Sequence, residues 1–349
     1  MEDKQILFKE HKLKDFTTSI LTKMGMTLAN SEIIADSLLY ADLRGVKSHG
    51  LVRLPAYVER VEKGVMNKNP LMELEQNHEA VALLNANNGF GQVAGYNAIT
   101  LAINKAKKYG IGLVGVKNSN HFGIAAFYSM LALNENMIGF VLTNASPAIA
   151  PYGTKTPLLG TNPLSIAIPA KSEKPIVLDM STSVVARGKI RYSALINESI
   201  PLGWAKDSNG RPTDNPKEAL KGSLEPIGGP KGSGLSLIID ILCGVLTNTC
   251  LTGEVKNLTD LSGPSKTGHI FCAINISNFM NVEVFKTNID LVIQSIKNLP
   301  SADGNPVYLP GEIEHNLSQK RREEGIPMER EVITSLNSVA SRYGISILS

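Results

Sequence analysis

Two of the chain's six histidines sit where proton transfer would be useful. His49 lies in Val46-Lys47-Ser48-His49-Gly50, at the junction of two helical segments. His121 lies in Asn118-Ser119-Asn120-His121-Phe122-Gly123, just past a strand-like run. Ligands gather at the C-terminal ends of strands in α/β sheets. Imidazole titrates near neutrality, so either ring suits the proton movement that accompanies hydride transfer. Each also reads as an ordinary hydrogen-bonded loop histidine. Arg53 stands one helical turn beyond His49, where its planar fork suits a bidentate carboxylate or a surface salt bridge. Tyr57, a further turn on, offers a hydroxyl contact or simple packing. His11, His78, His269 and His315 read as surface or structural residues.

Anion chemistry has one candidate. Gly228-Gly229-Pro230-Lys231-Gly232-Ser233-Gly234 opens a helix, and free N–H groups beside a lysine favour a pyrophosphate. A tight turn before a buried helix explains the same residues, and the Walker A order is absent. Gly89-Phe90-Gly91-Gln92-Val93-Ala94 matches the G-x-G-x-x-A spacing of a dinucleotide fingerprint. Asn85 to Asn88 separate it from its strand, however, and no acidic residue ends the next strand at Lys117, so a Rossmann unit is not expected. Asp179 closes the run Val177-Leu178-Asp179, with Ser181 or Thr182 available to cap a following helix. Gly160-Thr161-Asn162-Pro163 is a polar turn that could touch cofactor or substrate. No carboxylate pair has glycosidase spacing, and no His or Cys cluster signals a metal.

The elements that must position these residues follow from periodicity. Leu13, Phe16, Ile20, Leu21 and Met24 mark a first helix, and a second follows Asn30-Ser31 and stops at Gly45. A third buries Leu51, Leu54, Val58 and Val61, and displays Arg53, Tyr57 and Arg60 on the other face. After Pro70, strand-like runs at 80–84, 111–116, 138–143, 165–168, 176–179 and 269–276 alternate with helical runs at 93–108, 124–133, 228–246 and 284–296. That alternation predicts a sheet with helices packed on it. The segment at about 193–225 is polar and turn-rich and reads as a loop insertion. From Glu312 the chain returns to helices.

Composition narrows the function classes. The net charge of +3 comes from dispersed residues, with no basic face for nucleic acid. No apolar run is long enough to span a bilayer, and the polar Met1-Glu2-Asp3-Lys4 start shows no secretory signal. Cys243, Cys250 and Cys272 fit no metal or disulfide pattern and read as buried reduced thiols of a cytoplasmic protein.

Taken in order, the pieces resemble the type 2 malate/L-lactate dehydrogenase family. The residues that carry this are Ala41-Asp42-Leu43-Arg44-Gly45, Ser48-His49-Gly50-Leu51-Val52-Arg53 and Asn118 to Gly123. Pro151-Tyr152-Gly153, Gly160 to Pro163, Leu178-Asp179-Met180, Ile200 to Ala205, Lys231 to Leu235 and Leu309-Pro310-Gly311-Glu312 follow at family-like spacing. The match runs from about residue 10 to 340. Departures lie at Ser193 to Ile200, at Pro230 and Ser233, and at Asn248 to Leu258, and they bear on substrate identity and loop geometry.

The resemblance implies a mixed α/β (α+β) fold: a non-Rossmann mixed sheet flanked by helices, with a separate helical domain. Residues 1–75 and 311–349 would form a helical dimerisation and substrate domain, and residues 76–310 the dinucleotide-binding domain. It implies an oxidoreductase moving a hydride between NAD(P), NAD being favoured, and C2 of a small 2-hydroxy or 2-oxo acid. It also implies a homodimer with its site near the subunit interface. His121 and His49 become the acid/base candidates, with His121 the favoured proton donor. Arg53 becomes the carboxylate anchor, and Ser48 and Tyr57 become pocket residues. Asp179, Met180, Ser181, Lys231, Gly232, Pro310, Gly311, Glu312 and Asn162 become cofactor contacts. Ureidoglycolate or diketogulonate turnover, NADPH-dependent reduction of a cyclic-imine carboxylate, and a non-catalytic metabolite binder are the rival readings.

Overall fold

A computed structural model describes residues 5–349; the polar start at Met1–Lys4 lies outside them. The chain opens with β1 (Ile6–Phe8), α1 (Glu10–Lys23) and α2 (Leu28–Leu43). The α2 start differs from expectation. Thr27 Oγ1 accepts from Asn30 N at 3.3 Å, so Thr27 is the cap and Asn30 and Ser31 lie inside the helix. Two short 3-10 turns, Lys47–His49 and Leu51–Arg53, then lead into α3 (Leu54–Glu62).

β2 (Glu73–Asn77), β3 (Val81–Asn85), α4 (Gly91–Tyr109), β4 (Ile111–Ser119), α5 (Ala126–Ser129), β5 (Met137–Thr143), β6 (Leu164–Ile168) and β7 (Ile176–Met180) follow. The helix expected over 124–133 is α only across α5, and tightens to a 3-10 turn from Met130 to Glu135. With β10 (Thr267–Asn275) the strands form one seven-stranded sheet, ordered β2-β3-β4-β10-β5-β6-β7. β3 and β4 run parallel, joined across α4; every other neighbouring pair is antiparallel. The fold is thus a mixed sheet covered by helices, as the resemblance implied. One face packs Ala98, Ile99 and Ala102 of α4 on Val114, Val116 and Phe271; the other meets Ile239 and Cys243 with Leu142 and Ile270. All three cysteines are free and buried.

Register decides what this sheet can do. Thr267 pairs with Ser119, His269 with Thr143, Leu142 with Leu164, and Leu164 with Met180. One edge of the sheet therefore collects the ends of β4, β5 and β7 and the starts of β6 and β10. The residues just beyond those ends face a common space.

The segment 193–225 is not a plain loop. It holds the end of α6 (Arg187–Ile196), then β8 (Ala205–Lys206), α7 (Pro216–Lys221) and β9 (Ser223–Leu224). Ile200, Ala205, Ala219 and Leu224 build an apolar cluster with Ile149, Val185 and Ile190. Those contacts join residues far apart in sequence, so no local period announces them. Next comes α8 (Pro230–Asp240), extended by a π-helical turn at Ile241–Val245. The chain ends with α9 (Val282–Lys297), α10 (Glu312–Glu324), β11 (Ile326–Met328) and α11 (Arg330–Arg342). β1 and β11 pair antiparallel and bring the two ends of the chain together. Leu13, Ile20, Leu38, Leu54 and Val58 share one core there with Leu336 and Val339 of α11. Phe90, Val93 and Leu258 from the sheet side join it. Among the described residues no helix is long and apolar enough to cross a membrane, and no cluster of side chains could hold a metal.

Candidate active site

His121 leaves the end of β4 on a tightly held loop. Asn120, fully buried, donates from Nδ2 to Asn88 O and Oδ1, both at 3.0 Å, and to Gly89 O at 2.9 Å. The Gly89–Gly91 pair, which imitated a nucleotide fingerprint, serves this loop instead. A Cβ on Gly91 would lie 2.2 Å from Asn120 O and 2.7 Å from His121 O, so only glycine lets the start of α4 touch that backbone. The His121 Nδ1 lies 2.6 Å from the Tyr57 hydroxyl and 3.3 Å from the Gly123 N–H.

His49 rides on the first 3-10 turn. The carboxylate of Asp42 accepts the Leu51 N–H at 2.8 Å and closes the second turn. A Cβ on Gly50 would fall 1.9 Å from that carboxylate, so Gly50 has no substitute. His49 Nδ1 meets Ser48 Oγ at 2.8 Å, and Arg53 Nε donates to Ser48 O at 2.6 Å. The two imidazoles stack with centroids 5.4 Å apart and planes 23° apart. Burial, and then the Arg53 charge, lower His49 to about 4. Burial, then the charges of His49 and Arg53, take His121 well below the ordinary histidine value. Both rings are neutral at pH 7 in the free protein. Burial also lowers Arg53, which remains a cation.

These side chains line a cleft of about 410 Å³, within the size range of small-ligand sites. The sheet edge supplies Thr143, Asn144, Ala145, Ser146 and Thr161, then Asp179, Met180 and Ser181; α6 supplies Arg187 and Arg191; and the segment Val255 to Leu258 closes another side. Asp179 is open to the cleft yet walled by protein, and burial raises its carboxyl to about 6 against the Ala126 N–H at 3.3 Å. Hydroxyls, an amide and an accessible carboxylate suit a ribose and a carboxamide, so the wall fits a nicotinamide nucleotide by its donor set.

Ser48, His49, Arg53, His121, Asp179, Met180 and Ser181 are therefore brought together. The other candidates are placed elsewhere. Tyr57 is fully buried behind His121, so its hydroxyl orients the imidazole and does not line the cleft. Asn162 is buried beneath the wall, accepting from Ala145 N and donating to Ser236 O, both at 2.9 Å. Lys231 is exposed at the start of α8 and outside the cleft lining; Gly232 packs on the Ile227 backbone. Pro310 O accepts from Val177 N at 2.9 Å, Gly311 packs on Val177, and Glu312 pairs with Lys297 at 2.5 Å. Pro310 and Gly311 brace the far end of β7, and Glu312 ties the start of α10 to α9. Ser181 and Thr182 cap no helix: Ser181 Oγ lies 3.1 Å from Ser183 Oγ and Thr182 Oγ1 donates to Thr161 O. His269 is structural, held by Thr143 and Ser119 hydroxyls at 2.7 and 2.9 Å.

Sequence reasoning missed Arg187 and Arg191, whose i,i+4 spacing was a visible signal. Arg60, expected on the displayed face of the third helix beside Arg53 and Tyr57, is instead fully buried. The guanidinium donates to the carbonyls of Asp260 at 2.5 Å and Gly263 at 3.1 Å, tying the 258–263 loop to α3. No local pattern predicts a partner two hundred residues away.

The family model described as malate/L-lactate dehydrogenase matches residues 8–337. A malate/(S)-sulfolactate dehydrogenase of Methanothermus fervidus is 42% identical over 328 residues, 94% of this chain and 95% of that protein. A malate dehydrogenase of Pyrococcus abyssi is 40% identical over 354 residues, covering 99% and 97%. The solved sulfolactate dehydrogenase from Methanocaldococcus jannaschii superposes with a TM-score of 0.93 at 38% identity, covering 98% of each chain. With the paired imidazoles and the arginine on one cleft, these likenesses show that the chain belongs to the malate/L-lactate dehydrogenase family and is a dehydrogenase of 2-hydroxy acids.

Proposed function

We propose that the protein interconverts a dianionic 2-hydroxy acid and its 2-oxo acid, of the malate or sulfolactate kind, with NAD as hydride carrier. The observation that carries this is the convergence of His49, His121 and Arg53 on one cleft, with Arg187 and Arg191 on the wall contributed by α6. Bound NAD supplies the hydride acceptor, and its reduced form the donor. Asp179, Met180 and Ser181, with the hydroxyls of Thr143, Ser146 and Thr161, are the residues that would hold it. NAD over NADP rests on the resemblance alone. The resemblance also puts Lys231, Gly232, Asn162 and Pro310 to Glu312 near the cofactor; the packing of Gly232, Asn162, Pro310 and Gly311 on neighbouring backbone supports a bracing role for those four, while Lys231 lies exposed outside the cleft.

In the oxidative direction Arg53 grips the C1 carboxylate and turns C2 toward the carrier. His121 takes the hydroxyl proton as the hydride leaves. His49, held by Ser48, orients the substrate oxygen. Arg187 and Arg191 meet the second acidic group, which lactate lacks. The helical layer of 1–75 and 311–349 is the proposed substrate and dimerisation unit, with 76–310 the cofactor unit. A cytoplasmic homodimer remains part of the proposal. Leu235, Ile238, Ile241 and Val245, between 38% and 54% exposed along α8 and its extension, supply an apolar stripe that suits a second copy.

Steady-state rates with malate, sulfolactate and lactate, each with NAD and NADP, test the reading. Dianions turned over at least tenfold more efficiently than lactate are expected, with the preference collapsing in Arg187→Ala/Arg191→Ala. Equal efficiency for lactate in the parent protein would overturn it.

A further inference from the structure

β4 runs out into the loop that carries His121, and its neighbour β10 starts just past a loop at 256–265. Both loops line the cleft, the second through Lys256, Asn257, Leu258 and Ser265. That second loop is closed at its base, where Lys256 N donates to Ser265 O at 3.0 Å and Ser265 Oγ to Lys256 O at 2.9 Å. On its cleft side Asn257 Nδ2 donates to Ser146 Oγ at 3.1 Å, on the wall that would hold the cofactor. Leu258 packs in the helical core, an apolar contact that gives the loop a place but little orientation.

Arg60 of α3 stands between the two loops, and the reaction scheme leaves it unused. Its Nη1 donates to Asp260 O at 2.5 Å and reaches Leu258 O at 3.5 Å. Its Nη2 donates to Gly263 O at 3.1 Å and reaches Asn120 Oδ1 at 3.4 Å, while Nε has no partner. One planar fork thus joins three carbonyls of one loop to the residue before His121 in the other. The two sides depend on it unequally. Asn120 has three further bonds, to Asn88 and Gly89, so the His121 loop is fixed without Arg60. At the tip of the other loop, the bonds from Ser262 N to Asp260 Oδ1 and from Lys256 Nζ to Ser262 Oγ stay within the loop. They shape it without docking it. The structure assigns Arg60 as a positioning residue that docks the 256–265 loop against the fixed His121 loop, and so sets the width of the cleft where Asn257 meets Ser146. Buried hydrogen bonds from a fork supply the direction that the Leu258 contact lacks.

This inference rests on the proposed reaction for its kinetic arm only; its first readout is amide hydrogen exchange on the free protein. In the parent, the amides of Lys256, Asp260 and Ser262, each hydrogen-bonded within the loop, should exchange slowly. Arg60→Lys keeps the charge but offers a point ammonium in place of the fork. Exchange across 256–265 should then quicken about 10-fold or more, with the amides of 118–123 changed less than about twofold. With malate as substrate, KM for NAD should rise about 10-fold while kcat changes less than about threefold, because the wall moves and His121 does not. A residue that only stabilised the fold would lower the active fraction, and so kcat, at constant KM. Asn257→Ala removes the loop's grip on Ser146 and should raise KM for NAD about threefold, yet add little to Arg60→Lys, since both act through one wall. Fast exchange at 256–265 in the parent, unchanged exchange there in Arg60→Lys, or a fall in kcat with KM unmoved overturns the inference. Should Arg60→Lys fail to fold, Arg60→Gln carries the same test, and the parent's exchange still decides. A parent that turns over no 2-hydroxy acid would sink the proposed reaction alone, with the exchange result standing.

Discussion

The two walls of the cleft are built by different means. The sheet-edge wall, from the ends of β4, β5 and β7, is set by strand register and by buried side chains such as Asn120 and Asn162. The opposing wall is a pair of 3-10 turns between α2 and α3, closed by one carboxylate, Asp42. Each wall presents one imidazole. His121 is backed by a buried hydroxyl, whereas His49 is steadied by its neighbour Ser48 at the cleft margin. A ring whose far nitrogen is fixed inside the core can hold one tautomer through a catalytic cycle. A ring fixed by a side chain at the margin is better suited to orientation.

The sharpest way to break that contrast is a pair of substitutions. His121→Ala should lower kcat by about 10²–10⁴, the usual worth of a general acid or base, while His49→Ala acts mainly on KM. Equal losses of kcat for the two would erase the distinction. Next in size is Arg53→Lys. Loss of the bidentate fork should raise KM for the 2-oxo acid about 10-fold or more, in line with about 1.5–3 kcal/mol for a charged hydrogen bond. A KM within twofold of the parent value would remove Arg53 from the carboxylate.

A smaller effect concerns the wall that Asp42 closes. Asp42→Ala leaves the Leu51 N–H unpaired and should cost about 1–3 kcal/mol in denaturant unfolding. Burial, opposed by the Leu51 N–H, raises this carboxyl from 3.8 to about 7. The folded value thus exceeds the unfolded one, so its contribution is fully present below about pH 4 and lost as pH rises toward 7. Asp42→Asn keeps an acceptor without the charge, so its stability should show less decline across that window. An identical pH slope in both proteins would count against the assignment. The smallest effect is in the rate profile. With both rings lowered in the free protein, kcat/KM for oxidation should hold down to below pH 6.5, the ordinary histidine value. An acid limb above 6.5 would show that the rings are not buried as described.

Much of the site was legible because its residues sit in short local signals. His49 and Arg53 are one turn apart, and His121 follows a strand whose apolar run is plain; those three do meet. Lys231 was equally legible as a helix-start lysine, yet it stands outside the cleft lining. A local pattern gives an element's type and says nothing of which edge of the sheet it reaches. Tyr57 shows the same limit: helical spacing put it on the face of Arg53, while packing against Phe90, with ring centroids 5.9 Å apart, buried it behind the imidazole. β1, β2 and β11 were invisible for another reason. They are only three to five residues long, and β2 is exposed throughout, so no alternation marks it.

The sequence by itself determined most of the longer helices, the main strands, the failure of the nucleotide fingerprint and the chemistry of the reacting groups. Those depend on near neighbours along the chain and on side-chain type. Tertiary structure alone decided that β10 inserts between β4 and β5, that Arg60 ties down a loop two hundred residues away, and that the insertion has its own core. It also decided which of the candidates face one another across a cleft. Such pairings depend on non-local contacts, whose closure leaves no period in the sequence.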